Sequence, residues 1–173
     1  MNGTVVLVAG GAGYIGSHAC KTLAMKGYRP VVVDNLSRGY AWAVKWGPLE
    51  KISIGDQDAL KAVFLKYQPA AVMHFAAFAY VGESVGNPAL YYRNNIAESI
   101  SLLSVMADVG CRRIIFSSTC SIYGVPEIVP IPESHPRVPI NPYGRSKYVV
   151  ECALDDFEMA YGLRSVSLRY FNA

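Results

Sequence analysis

At 173 residues, with 52% apolar and 17% charged side chains, the chain has the size of one domain and apolar mass for a sizeable core. Its net charge of +3 includes no Lys/Arg block, which argues against nucleic acid, and no apolar run approaches the roughly 18 residues of a membrane span. Four cysteines without ligand spacing and three scattered histidines argue against a disulfide framework and a metal site; the thiols read as reduced, mostly small buried hydrophobes.

The first candidate strand, Val5–Ala9, begins almost at once, which reads as leaving no room for a signal peptide and places the protein in the cytoplasm. It runs into Gly10-Gly11-Ala12-Gly13-Tyr14-Ile15-Gly16, and a helix follows from about Gly16 to Lys26, stopped by Gly27. Gly10, Gly13 and Gly16 have the spacing GxxGxxG, and Gly11, Gly13 and Gly16 satisfy GxGxxG. Either pattern allows a tight turn in which backbone approaches a phosphate and the next helix aims its N-terminus at the anion. A second strand, Pro30–Asp34, ends in an acid 18 residues beyond Gly16, where a carboxylate can accept both ribose hydroxyls. Asp34 would also repel a 2′-phosphate, favouring NAD over NADP, whereas Arg38 argues mildly the other way.

A third strand is expected at Ile52–Ile54, then a helix from about Asp58 to Tyr67. Asp56 either caps that helix or reaches an adenine edge. Ala71–Phe75 reads as the fourth strand, and a long helix starts near Pro88 and stops at Gly110. Arg113–Ser118 reads as the fifth strand, with Ser118 or Thr119 placing a hydroxyl at the carboxyl end of the sheet, or merely capping a turn. The loop Thr119–Asn141 holds five of the ten prolines, more like a site wall than a linker. A helix from Pro142 to Gly162 carries Tyr143 and Lys147 four residues apart on one face, and Ser165–Arg169 is the sixth strand. The alternation predicts an α/β fold, a doubly wound parallel sheet of the Rossmann type, spanning 1–173 as one domain. Only four residues follow the last strand, so the chain reads as the N-terminal fragment of a longer protein.

A phenol and an ammonium beside a dinucleotide can move a hydride and a proton at a carbinol carbon. Bringing a tyrosine from a pKa of about 10 to near 7 needs roughly 4 kcal/mol, about what a unit charge at ~4 Å supplies at an effective dielectric of ~20. Lys147 is one such charge and an oxidised nicotinamide ring would be a second, so Tyr143 is the expected general base.

The chain resembles the extended short-chain dehydrogenases/reductases, and within them the nucleotide-sugar 4-epimerases of the UDP-glucose 4-epimerase type. The matching pieces span essentially the whole chain: Gly10-Gly-Ala-Gly-Tyr-Ile-Gly-Ser-His18, Asp34-Asn-Leu-Ser-Arg-Gly39, Met73-His-Phe-Ala-Ala77, Val81-Gly-Glu-Ser84, Tyr91-Tyr-Arg-Asn-Asn95, Ser117-Ser-Thr119, Asn141-Pro-Tyr-Gly-Arg-Ser-Lys147 and Leu168-Arg-Tyr-Phe-Asn172. The resemblance implies a tightly held NAD. Gly10, Gly13, Tyr14, Ile15 and Gly16 would lie at its phosphates, Asp34, Asn35 and Asp56 around its adenosine, and Phe75, Asn95, Ser117, Lys147 and Tyr170 along its remaining length. It implies that Tyr143 takes the proton of a sugar 4-hydroxyl while C4 gives its hydride to nicotinamide, and that the 4-keto sugar then swings over to accept the hydride on its other face. Thr119 matches the family's hydroxyl partner and Asn172 a contact to the substrate's diphosphate.

The implied substrate is a UDP-sugar, UDP-glucose or UDP-galactose. Ala79 stands where the best-known branch has a lysine, which points to another branch that includes bacterial UDP-glucose 4-epimerases and plant enzymes acting on UDP-xylose or UDP-arabinose. Dehydratases of the family carry an acidic pair after the threonine; Cys120-Ser121 cannot protonate a leaving hydroxyl. Family members have a further C-terminal substrate domain, missing here, and form homodimers by pairing the helices from Pro88 and Pro142, where Val149, Val150 and Ala153 face either partner or core. A non-catalytic NAD-binding module and a dehydrogenase with net turnover are the alternatives from other classes.

Overall fold

A computed structural model of the chain describes residues 3–172; Met1, Asn2 and Ala173, the ends of the expected 1–173 domain, lie outside the described residues. Six strands form one all-parallel sheet in the order β3-β2-β1-β4-β5-β6: β1 (Val5–Ala9), β2 (Arg29–Val33), β3 (Leu49–Glu50), β4 (Ala71–His74), β5 (Arg113–Thr119) and β6 (Arg164–Tyr170). The helices are α1 (Tyr14–Met25), α2 (Gln57–Tyr67), α3 (Val81–Gly86), α4 (Pro88–Tyr91), α5 (Glu98–Val109) and α6 (Pro142–Tyr161). Strand order reverses between β1 and β4, and a crevice opens there at the carboxyl ends of the strands, as in other doubly wound sheets.

Alternate residues of β1 feed two cores. Leu7 and Ala9 face Leu60, Phe64, Leu103, Met106 and Leu154 of α2, α5 and α6; Val6 and Val8 face Cys20 and Leu23 of α1. The second face is thinly covered toward β6, where Val166 and Leu168 are exposed. Helix ends follow their local chemistry. Asp56 accepts from the Ala59 amide at 3.1 Å, Asn141 accepts from the Gly144 amide at 2.7 Å with Pro142 at the first helical position, and Gly110 and Gly162 close α5 and α6.

Three expectations are corrected. The third strand is Leu49–Glu50, because β2 offers only Val32 and Val33 to pair with; Ile52 and Ile54 instead turn apolar side chains into the core from a loop. Helix α3 went unread, since a six-residue segment with two glycines shows no period. The long helix from Pro88 is broken in geometry by a π-helical stretch at Tyr92–Ala97 between α4 and α5. Among the described residues, no helix is long and apolar enough to cross a membrane, and no three His, Cys, Asp or Glu side chains gather to hold a metal ion. All four cysteines are free, Cys20 and Cys111 buried, Cys120 and Cys152 half-buried.

Candidate active site

At one end of the crevice, β1 enters the glycine turn. Gly10 has φ +81°, and a Cβ there would strike the backbone of Phe75 and Ala76 where β4 ends. Gly13 differs. Its φ is −82° and a Cβ would meet only the Gly10 carbonyl oxygen, at 3.4 Å, so the fold itself tolerates a side chain. Gly13 nevertheless lines the crevice as bare backbone, a cradle that a Cβ would fill. No side chain caps α1, so its first N–H groups and the positive end of its dipole are open to an anion. Tyr14 and Ile15 line the same wall, while Gly16 is buried in the first turn.

Asp34 is fixed by two backbone donors, Ala12 N–H at 3.0 Å and Leu36 N–H at 2.8 Å. A carboxylate has about four lone-pair sites, so the pinned group keeps capacity for a ligand's vicinal hydroxyls. With Asn35, Ser37, Ile54 and Phe75 it lines a pocket of about 580 Å3. A neutral dinucleotide ribose and its diphosphate fit this donor set: acceptors for hydroxyls at Asp34 and amide donors for the anion at α1.

The other end is a wider cleft of about 2450 Å3, which continues from Gly13 past Ser117 and Thr119 to Tyr143, Lys147 and Tyr170. Tyr143 and Lys147 therefore both face the crevice above the glycine turn. The Tyr143 hydroxyl has the Thr119 hydroxyl as its polar neighbour, which acts to lower the phenol's pKa, and its ring meets Tyr91 edge-on at 6.5 Å. Lys147 is buried, donates to the Ser117 carbonyl at 2.8 Å and stands 4.8 Å from the centre of the Phe116 ring; burial pushes its pKa down to about 7. Beneath it His74 is buried, with a pKa pushed down to about 3, first by burial and then by the Lys147 charge. Ser99 gives its single proton to the Asn95 carbonyl at 2.6 Å, so His74 Nε2 must donate to Ser99 Oγ at 2.8 Å and Nδ1 is the bare nitrogen.

In the chain without a dinucleotide the phenol of Tyr143 is not acidified. Burial pushes the Tyr143 pKa up against the opposing effect of the Thr119 hydroxyl, and the charge of Lys147 does not offset it. A lysine with a pKa near 7 is only half charged at neutral pH, and its ammonium is aimed at the β5 carbonyl and an aromatic face. The two hydroxyls at the end of β5 differ: Ser118 donates to the buried Glu151 at 2.5 Å, while Thr119 accepts from the Ser121 amide at 3.1 Å, capping the turn, and neighbours the Tyr143 hydroxyl. Glu151 also binds Arg169 at 2.8 Å and Arg137 at 3.2 Å, tying α6 to β6 and to the proline-rich wall.

Gly10, Gly13, Tyr14, Ile15, Gly16, Asp34, Asn35, Phe75, Ser117, Thr119, Tyr143, Lys147 and Tyr170 thus come together. Asp56, Asn95 and Asn172 are not among the lining residues. The Asp56 carboxylate caps α2, and Asn172 lies exposed past β6. Asn95 is buried, and its amide is spent on both Phe78 backbone groups, Asn94 and Ser146. Asn94 lines the crevice instead, a residue the sequence reading missed; the Asn-Asn pair was its signal, without saying which member faced the site.

The NAD dependent epimerase/dehydratase family model matches residues 6–173. The UDP-glucose 4-epimerase of Rhizobium leguminosarum bv. trifolii is 55% identical over 173 residues, covering 100% of this chain and 53% of that protein. UDP-arabinose 4-epimerase 1 of Arabidopsis thaliana is 46% identical, over 98% of this chain and 43% of its own length. The solved UDP-glucose 4-epimerase from Brucella ovis in complex with NAD superposes with a TM-score of 0.97 at 54% identity, over 98% of this chain and 52% of that one. The chain spans about half the length of the curated relatives it matches.

Proposed function

The chain belongs to the NAD dependent epimerase/dehydratase family, and from that premise we propose that it is the NAD-binding half of a UDP-glucose 4-epimerase, interconverting UDP-glucose and UDP-galactose at sugar C4. The observation that carries the reading is the joint placement of the Thr119–Tyr143 pair and Lys147 on the wall of one crevice with the bare Gly13 cradle.

NAD when bound takes up a hydride from the sugar carbon and returns it. Gly13 and the N-terminus of α1 would hold its diphosphate, and Asp34 and Asn35 one ribose. Lys147, whose ammonium keeps donors beyond the one given to Ser117, holds the other ribose. Tyr143 Oη takes the proton from the reacting hydroxyl and returns it, with the Thr119 hydroxyl as that oxygen's polar neighbour. Because burial holds the free phenol protonated, the base is made only when positive charge enters the crevice with the ligand; loading and activation are then one event. Asn172 adds a contact to the substrate's diphosphate, and the full protein is a homodimer through α5 and α6. Of the residues named for that contact, Val150 is in the core and Val149 is exposed.

The test is conversion of UDP-galactose by the complete gene product with NAD bound. Turnover without net NADH supports the proposal; net NADH or a dehydrated sugar sinks it. A second reading, UDP-arabinose/UDP-xylose epimerisation, is supported by the 46% identity to the Arabidopsis protein and by Ala79, and a substrate panel separates the two. A chain that binds NAD but turns over no UDP-sugar would be the non-catalytic module.

A further inference from the structure

Among the described residues Arg38 is the one cation on the wall of the Asp34 pocket, and it also lines the wider cleft, where the two parts of the crevice join. Four residues past Asp34, it is placed to serve a phosphate on the ribose that Asp34 addresses. It does not stand ready to do so. Arg38 Nη2 lies 2.6 Å from Glu83 Oε1 on α3, and the guanidinium packs over the rings of Phe78, at 4.7 Å, and Tyr80, at 5.5 Å. Glu83 has a neighbour on its other side, since its Oε2 is 2.7 Å from the hydroxyl of the fully buried Tyr91, which accepts from the Tyr80 amide at 3.0 Å and shares its one proton between Glu83 and the Tyr80 carbonyl at 2.8 Å. An arginine paired to a carboxylate and stacked on two rings keeps its charge but has little freedom to turn its donors to a second anion.

We infer that Glu83, from an element remote in sequence, sets cofactor choice by holding Arg38 away from a 2′-phosphate, so that Asp34 alone decides for the unphosphorylated ribose. This deepens the proposed function and rests on its cofactor assignment. Glu83 is a positioning residue: it acts through Arg38 and needs no contact with the dinucleotide. The pair is partly exposed, so its hold is modest and sensitive to ionic strength.

The experiment titrates the chain with NAD+ and with NADP+, separately, by calorimetry, for the wild type, E83Q, R38M and the double variant. Gln keeps an acceptor for Tyr91, so E83Q removes the charge with the least damage to the loop. Wild type should prefer NAD+. E83Q should shift the affinity ratio toward NADP+ by about threefold to tenfold, less at high salt. R38M should leave the ratio near the wild-type value, because the held arginine serves neither ligand selectively. The double variant should lose the shift, since no guanidinium is left to release. An unchanged ratio in E83Q, a shift that survives without Arg38, or a loss of NADP+ affinity in R38M alone would each overturn the inference. The R38M arm stands even if E83Q folds poorly. Wild type binding neither dinucleotide is a different result, and it removes the cofactor assignment itself along with this consequence of it.

Discussion

At the glycine end of the crevice, the groups that matter come from β1, β2 and the turns beside them. They are held by backbone: Asp34 by two amides, Asn35 by the Ser37 amide, Gly13 by nothing but its neighbours. At the tyrosine end, Thr119, Tyr143 and Lys147 come from elements more than twenty residues apart, and the ionisable amine of Lys147 is buried against the Ser117 carbonyl and the Phe116 ring. Glu151, reached by Ser118, Arg137 and Arg169, is the knot of that second region. A site for binding can thus be made from a short run of chain with few obligations to the core. A site for proton transfer needs groups brought out of water, and each such group leaves a cost that the surroundings must offset.

Four substitutions or conditions separate the two ends. Tyr143→Phe should lower conversion by the complete protein by about a thousandfold, roughly 4 kcal/mol, while NAD titration stays within about threefold of wild type; loss of both would make Tyr143 a structural residue. Glu151→Ala strands two guanidiniums and a buried hydroxyl, and should cost about 3 kcal/mol in urea unfolding, with no counterpart when Asn35→Ala is made at the other end. Lys147 gives the tyrosine end a pH signature. Its folded pKa of about 7 lies below the ordinary 10.5, so above pH 7 the unfolded chain holds the extra proton and stability rises with pH. From pH 7 to 9.5, before the tyrosines titrate, this one group should contribute about 3 kcal/mol. Lys147→Met should flatten the slope, and an unchanged slope would show the ammonium to be hydrated. Gly13→Ala has the smallest expected effect, a tenfold or greater loss of NAD affinity, about 1.4 kcal/mol or more, with a melting temperature unmoved. A drop in melting temperature would mean that the fold, and not the ligand, requires glycine there.

What could be read in advance follows the same division. The turn and Asp34 lie in contiguous stretches whose spacing states their geometry, and the Tyr143–Lys147 face follows from helical period alone. The third strand was misplaced because buried isoleucines look alike whether paired in a sheet or tucked in from a loop. The state of Lys147 was misread because the sequence shows a lysine near a tyrosine but not Ser117 and Phe116 closing over its amine from β5. The Arg38–Glu83 pair joins residues 45 apart through a short helix that has no pattern, so nothing local announced it.

The wide helical stretch at Tyr92–Ala97 has a further consequence for the site. A π turn holds about one residue more than an α turn would, and here the surplus lets adjacent asparagines serve different masters, Asn94 the crevice and Asn95 the loop at Phe78. Deleting one residue there would regularise the helix, and the adjacent asparagines could then no longer reach both the crevice and the loop at Phe78. In this chain a shorter, better-formed helix would be the damaging mutation.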